Sequence, residues 1–130
     1  MIGRIASLLV GLPSLGGLSI LVAGASSAQT GRTPPPPTFA QCAICHAVTA
    51  DAPKKIGPTL AGVAGKPAAT RPGFAYSPAL KAAKINWTDD KLDQYLAQPA
   101  KTVPGTKMAF AGVSDAKKRA DLVAYLKTLR

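Results

Sequence analysis

The stretch "FAQCAICHAV" contains both cysteines of the chain, Cys42 and Cys45, and its only histidine, His46. Thiolate and imidazole groups bind soft metals and carry redox chemistry, and the spacing C-x-x-C-H fits three kinds of site. These are a zinc knuckle, a redox dithiol and the covalent attachment of a haem. Each of them needs something different from the rest of the chain.

A structural zinc site is almost always four-coordinate, and no further Cys or His is present to complete one. A thioredoxin-type dithiol follows a strand in a βαβ pattern, whereas four prolines precede this motif. Haem attachment needs two thiols for the vinyl groups and the next imidazole for the iron. On a helix, at about 100° per residue, Cys42, Cys45 and His46 fall on one side, where one porphyrin can meet all three. The spacing favours haem, with the redox dithiol as the alternative.

Residues 1–28 resemble a secretory signal peptide. One charge at Arg4 is followed by an uncharged run from Ile5 to Ala28, which ends in small residues and predicts cleavage after Ala25 or Ala28. An uncleaved anchor is the alternative, because the run is long enough to span a bilayer. We therefore expect a leader at 1–28, a Pro-rich lead-in at 29–37 and a folded domain at 38–130. The expected location is the periplasm, or the periplasmic face of the inner membrane if the anchor is retained.

The chain is strongly basic, with 16 Lys and Arg against six Asp and no Glu. Cleavage after Ala28 would remove one arginine and leave a net charge of +9. Such an excess predicts an acidic partner. The charges are dispersed and only seven aromatic residues are present, which argues against nucleic acid. We expect a monomer that docks on acidic protein faces and has no stable membrane insertion.

Short helices and two long loops are expected downstream of the prolines. The first helix should begin at Pro37 or Thr38 and contain the C-x-x-C-H motif in its last turns. Further helices should be capped by Ser77, Thr88 and Ser114, the last running to the C-terminus with a stripe of Leu122, Tyr125, Leu126 and Leu129. The segments 49–76 and 100–113 read as loops. A structureless stretch as long as 49–76 indicates a chain that wraps a large flat cofactor.

Met108 is the only methionine after the leader, and it lies in the second loop. A lone methionine most often fills a gap in a core. Here, however, 62 residues separate it from His46, enough chain to pass around a porphyrin and return on its other face. Met108 is therefore the candidate for the second axial ligand.

Seven segments of the chain, taken in order, resemble the class I cytochromes c, particularly the bacterial relatives of mitochondrial cytochrome c and cytochrome c2. They are "CAICH", "GPTLAGVAGK", "GFAYSPAL", "INWTDD", "YLAQP", "VPGTKMAFAG" and "RADLVAYLK", and they cover nearly everything from Phe39 onward. The resemblance implies an all-α cytochrome c fold, with about four or five short helices and long loops around one covalent haem c.

The resemblance also implies roles for individual residues. Cys42 and Cys45 would form the thioether bonds, and His46 and Met108 would be the axial ligands. The carbonyl group of Pro58 would accept the other imidazole N–H. By the same resemblance, Tyr76 and Trp87 would hydrogen-bond a haem propionate, and Tyr95 and Thr106 would act near the methionine. For the three aromatic residues, the alternative is an ordinary core side chain with its polar tip satisfied.

The chain departs from the family pattern at three places. Lys66 stands where many members have an arginine near a propionate, and a lysine offers no bidentate fork. Leu80 stands where several members have an asparagine, which makes that side of the haem pocket drier. The segment "TPPPPTF" replaces the start of the first helix, so we expect that helix to be short and its packing near Tyr125 to change.

With both axial positions filled by the protein, the iron has no open position, so the site predicts electron transfer rather than an enzyme. We expect an electron carrier between membrane complexes, such as a quinol-oxidising complex and a terminal oxidase or photosynthetic reaction centre. The alternatives are a thiol-disulfide redox protein using Cys42 and Cys45, and a membrane-tethered cytochrome. A positive ring around the haem edge would steer the carrier to its partners. Its candidate members are Lys54, Lys55, Lys81, Lys84, Lys101, Lys107 and Lys117.

Overall fold

The computed structural model describes residues 33–130. A 3-10 turn at Pro37–Phe39 leads into five α-helices: α1 (Ala40–Cys45), α2 (Pro78–Ala83), α3 (Asp89–Ala97), α4 (Pro99–Thr102) and α5 (Ala116–Leu126). This part of the chain has no strand, only one antiparallel β-bridge between Pro67 and Asn86. The all-α prediction with four or five short helices is confirmed. The predicted leader at 1–28 and the first residues of the lead-in lie outside the described residues.

Local capping explains where α2 and α3 begin. The Ser77 hydroxyl accepts a hydrogen bond from the backbone N–H of Leu80, and the next residue, Pro78, is the first of α2. Thr88 caps α3 in the same way, through the N–H of Lys91. Such caps satisfy N–H groups that have no partner inside the helix. Both start positions agree with the sequence.

Two helix predictions need correction. Asp115, not Ser114, is the N-cap of α5, because its carboxylate accepts the N–H of Lys118 at 2.9 Å. The same helix ends at Leu126 and not at the C-terminus. The short helix α4 was predicted as loop, although Pro99 at its first position is a typical helix start. Between residues 33 and 130, no helix is long and apolar enough to cross a membrane.

The core lies where α3 packs against α5 and α5 packs against the 3-10 turn. All four residues of the predicted apolar stripe are buried, and Leu122 is completely inaccessible to solvent. Helix α1 is short, as expected, but the chain before it still contacts α5. The ring of Phe39 meets that of Tyr125 edge-on, with centroids 4.7 Å apart. Phe39 therefore provides the contact with α5 that a longer first helix would make.

An ion pair connects this core to the second loop. The Arg119 side chain, which is 14% exposed, bonds the carboxylate of Asp93 at 2.8 Å. Its guanidinium also donates to the backbone carbonyl oxygens of Val113 and Ser114. The end of the loop that contains Met108 is thus attached to both α3 and α5.

The first loop lacks regular secondary structure, as predicted for 49–76, and backbone hydrogen bonds hold it in place. The N–H of Gly62 donates to Leu129 at the end of the chain, and the N–H of Gly65 donates to Trp87. The N–H of Trp87 in turn donates to Lys66. This loop therefore has a fixed course around one side of the core.

Candidate functional site

The C-x-x-C-H motif lies at the C-terminal end of α1. Cys42 and Cys45 are half-buried and form no disulfide. His46 follows the helix in an extended conformation (φ −115°, ψ 141°), so the expectation of three residues on one helical face holds only for the cysteines. The N–H of His46 still donates to the carbonyl of Cys42 at 2.8 Å. This bond keeps the histidine next to the two thiols.

The imidazole of His46 is oriented by the first loop. Its Nδ1 lies 2.7 Å from the carbonyl oxygen of Pro58, so Nδ1 carries the proton and Nε2 has its lone pair available. Such a hydrogen bond fixes the tautomer of a metal-binding histidine and raises its basicity. Pro58 is the residue that the family resemblance indicated.

Gly57 contacts the imidazole of His46, which the sequence did not predict. A Cβ atom at this position would lie 2.5 Å from Cε1 and 2.7 Å from Nδ1 of His46. The imidazole therefore packs on the glycine backbone, and any larger residue would displace it. The N–H of Gly57 also donates to the carbonyl of Cys45 at 2.8 Å. The only signal in the sequence is that Gly57 precedes Pro58 in a Gly-Pro pair.

Met108 is half-buried and packs against the edge of the core. The hydroxyl oxygen of Thr106 accepts the backbone N–H of Met108 at 3.3 Å and lies 2.8 Å from the hydroxyl of Tyr95. Tyr95 is itself buried in α3. Burial raises the pKa of its phenol, and the hydrogen bond with Thr106 opposes this increase. The structure thus joins Tyr95, Thr106 and the methionine loop in one chain of hydrogen bonds.

The side chains of Tyr76 and Trp87 pack against different aromatic neighbours. Tyr76 is half-buried and packs edge-on against Phe74, at a centroid distance of 4.8 Å. Trp87 is buried and its ring lies 5.0 Å from that of Tyr95. No hydrogen bond joins the two side chains within residues 33–130. Neither the O–H of Tyr76 nor the indole N–H of Trp87 donates to another described residue.

The core is flanked by apolar side chains that are only partly buried. Cys42 and Met108 are among them, so the candidate attachment residue and the candidate ligand border the same core. The others are Ala43, Val48, Leu60, Val63, Ala64, Ala68, Ala79, Leu80, Ile85 and Phe110. An apolar surface of this kind, next to two thiols and an imidazole with an available Nε2, fits a haem.

The sequence is similar to those of known cytochromes. It is 42% identical to cytochrome c2 of Blastochloris viridis over 109 residues, which cover 84% of this chain and 83% of that protein. It is 49% identical to cytochrome c of Gibberella zeae over 87 residues, or 67% of this chain and 82% of that protein. No protein-family model matches the chain.

A solved structure of a cytochrome is similar to this chain as well. Cytochrome cH from Methylobacterium extorquens superposes with a TM-score of 0.65 at 48% identity, over 69% of this chain and 90% of that one. This chain belongs to the class I c-type cytochromes. The cytochrome is accordingly a small electron-carrier protein with covalently bound haem c. Cys42 and Cys45 have the positions of a C-x-x-C-H attachment motif.

Proposed function

We propose that Cys42 and Cys45 attach the haem in this cytochrome and that His46 and Met108 occupy its two axial positions. The observation that carries the proposal is the hydrogen bond from His46 Nδ1 to Pro58, which leaves Nε2 available for iron. Haem supplies one-electron Fe(III)/Fe(II) chemistry when bound. With both axial positions taken, no site remains for a substrate, and the protein acts as a carrier and not as an enzyme.

The protein residues set the direction in which the reduction potential is tuned. A thioether is a weak donor that favours Fe(II), so Met/His ligation gives a relatively positive potential. Thr106 holds the backbone of Met108, and Tyr95 holds Thr106 to the core. These two residues would therefore keep the methionine in place by holding its loop. The unused donors of Tyr76 and Trp87 are available to a haem propionate.

The charges of the described residues are segregated. The three ion pairs within residues 33–130 all join carboxylates and cations of α3, α5 and the residue that follows α5. No acidic residue occurs between Asp51 and Asp89 or between Asp93 and Asp115. The exposed lysines of those segments have no carboxylate partner there; they include Lys54, Lys55, Lys81, Lys84, Lys101 and Lys107. We propose that this surface docks on acidic faces of redox partners.

Two exposed isoleucines mark the centre of the docking surface. Ile44 is 74% exposed and Ile56 is 80% exposed. Two hydrogen bonds bring their segments together, from Lys55 Nζ to the Ala43 carbonyl and from the Gly57 N–H to Cys45. Large exposed apolar side chains flanked by polar groups are typical of interaction sites. Placed beside the C-x-x-C-H motif, they would contact a partner where the electron leaves.

The proposed partners are membrane complexes, namely a quinol-oxidising complex as donor and a terminal oxidase or photosynthetic reaction centre as acceptor. The proposed location is the periplasm, with a monomeric carrier whose leader at 1–28 is removed. Two arguments support export. Residues 1–28 resemble a secretory leader, and C-x-x-C-H haem ligation is completed outside the bacterial cytoplasm. Mass spectrometry of the native N-terminus distinguishes this from a tethered form, which would retain residues 1–28.

The alternative of a thiol-disulfide redox protein has less support. Reactive thiols of that class have a lowered pKa, which increases the fraction of thiolate. Burial instead raises the pKa of the Cys42 thiol, although a backbone hydrogen bond opposes this effect. We therefore do not assign a thiol-exchange activity to the two cysteines.

The decisive experiment is an absorption spectrum of the exported protein, followed by a potentiometric titration. We expect a haem band that acid-acetone does not extract, and a relatively positive midpoint potential. A colourless protein would refute haem attachment, and a strongly negative midpoint would refute Met108 as ligand. The docking surface is tested by the rate of electron transfer to an acidic redox partner. Lys54→Gln, at an exposed lysine, should slow it more than the ion-paired Lys117→Gln, and equal rates would refute the segregation argument.

A further inference from the structure

Arg71 is a half-buried cation without a carboxylate partner. Its guanidinium donates to the backbone carbonyl oxygen of Ala61, which is a buried residue. Within residues 33–130, no Asp lies at ion-pair distance from it. A guanidinium has five N–H donors, and one carbonyl oxygen leaves most of them unused. A partly buried charge in this condition is stabilised by an anion.

The donors around Arg71 converge on one region of the first loop. The backbone N–H and the positive charge of Arg71 both act on the phenol of Tyr76, lowering its pKa against the larger, opposite effect of burial. The carbonyl of Ala61 accepts the hydrogen bond from the Arg71 guanidinium. Four residues further along the loop, the N–H of Gly65 donates to the carbonyl of Trp87. Arg71 and Tyr76 belong to this loop and Trp87 is hydrogen-bonded to it, and each of the three has a donor that no described residue uses.

Lys66 is the cation that the family pattern places near a propionate, but its side chain is placed differently from that of Arg71. Its side chain is exposed, and only its backbone is engaged, through the N–H of Trp87. An exposed ammonium is strongly hydrated and its field is screened by water and salt. The planar fork of an arginine, in contrast, matches a carboxylate in two hydrogen bonds.

We propose that Arg71, in place of Lys66, is the cation that pairs with the haem propionate near Tyr76 and Trp87. The inference rests on the proposed haem site, because the propionate is the anion that the cofactor brings. An adjacent arginine lowers the pKa of a carboxyl group by about one to three units, which keeps it ionised at neutral pH. Loss of the arginine leaves that negative charge uncompensated, which favours the ferric state.

Three variants of the exported haem protein test this pairing. Arg71→Gln removes the charge and keeps a polar side chain with N–H donors. Arg71→Lys keeps the charge, and Lys66→Gln is the matched control. The midpoint potential of each is measured from about pH 5 to about pH 9. Removal of the Arg71 charge raises the pKa of Tyr76 further above 10.0, outside the measured range. The other charged side chains on the surrounding segments, Lys54, Lys66, Asp89, Asp90 and Lys127, are the same in all three proteins except where Lys66 is itself replaced, so a displaced step reports the propionate.

In Arg71→Gln, the pH-dependent step of the potential should move to higher pH by a factor of about ten in proton concentration. The ferric/ferrous ratio at a given applied potential should also rise at neutral pH. Arg71→Lys keeps the charge but loses the planar fork, so its step should lie between those of the wild type and Arg71→Gln. Lys66→Gln should change the ferric/ferrous ratio less than about twofold. A structural role alone would lower the free energy of unfolding of Arg71→Gln without moving the step.

Two results would overturn the proposal: an Arg71→Gln profile that overlays the wild type, or a tenfold shift in Lys66→Gln. If Arg71→Gln yields no haem protein, Lys66→Gln alone decides between a tenfold shift, which contradicts the proposal, and a small one, which supports it. The proposed function is judged separately, from the spectrum and potential of the wild type. Failure there is distinct from a failure of the Arg71 pairing, which is a difference between variants.

Discussion

Replacing Tyr95 by phenylalanine should loosen the methionine side of the haem site without disturbing the core. The change removes only the hydroxyl that lies 2.8 Å from Thr106 Oγ1. A hydrogen bond of this kind contributes about 1 kcal/mol net, which corresponds to about a fivefold change in an equilibrium constant. The equilibrium between a bound and a displaced Met108 should therefore shift about fivefold toward displacement.

Imidazole binding to the ferric protein measures this shift. With Met108 as the proposed ligand, added imidazole would reach the iron only where Met108 has left, so its apparent affinity would follow the opening of the loop. We expect about fivefold tighter apparent binding in Tyr95→Phe. Thr106→Val should have a larger effect, because its hydroxyl also accepts the N–H of Met108.

Tyr125→Phe is the matched control for this titration. Tyr95 and Tyr125 are both 7% exposed, but Tyr125 packs on Phe39, and the Thr106 hydroxyl bonds Tyr95 and Met108 instead. Its variant should bind imidazole like the wild type. Equal shifts in Tyr95→Phe and Tyr125→Phe would mean that general loosening of the core releases Met108, and unchanged binding in Tyr95→Phe and Thr106→Val would refute the hydrogen-bond argument.

Three further changes have defined outcomes. Gly57→Ala should lower the yield of covalent haem protein, measured from the absorption spectrum, because its Cβ would meet His46 at 2.5 Å; a wild-type yield and potential would contradict this. Asp93→Asn should lower the free energy of unfolding by about 1 kcal/mol in a denaturant titration, whereas Asp121→Asn, from a more exposed pair, should leave it unchanged; equal losses would argue against burial as the cause. Burial raises the pKa of the Tyr95 phenol above its ordinary value of 10.0. The neutral phenol therefore contributes fully to the free energy of unfolding below about pH 10, and this contribution is lost as the pH rises through the pKa of the folded protein. Tyr95→Phe should make the free energy of unfolding decline less steeply in this range.

The parts of the fold that local chemistry determines could be predicted from the sequence. Ser77 and Thr88 cap their helices because each hydroxyl reaches an N–H three residues ahead, which is a local geometry. The start of α5 was one residue off because Ser114 and Asp115 are both good caps. Only the structure, in which the Asp115 carboxylate bonds the N–H of Lys118, decides between them.

The candidate site divides in the same way. The attachment motif is contiguous, so the sequence alone indicates it. The contact of Gly57 with the imidazole and the position of Arg71 beside Tyr76 depend on how a loop without periodicity folds back, which no local pattern determines. The family pattern places Lys66 where many members have an arginine near a propionate. In the folded loop, however, Lys66 is exposed and Arg71 is half-buried, which makes Arg71 the better candidate for pairing with the propionate.

The two proposed axial ligands are held by forces of different strength. His46 follows directly after a cysteine proposed to be bonded to the haem, and its imidazole packs against Gly57 and Pro58. Met108 is held through two neutral hydrogen bonds at Thr106, each worth about 1 kcal/mol. Mild destabilisation should therefore open the methionine side first, while the thioether bonds keep the haem on the histidine side. The α3–α5 core sets the strength of this weaker side, because Tyr95 belongs to the core and Thr106 to the loop.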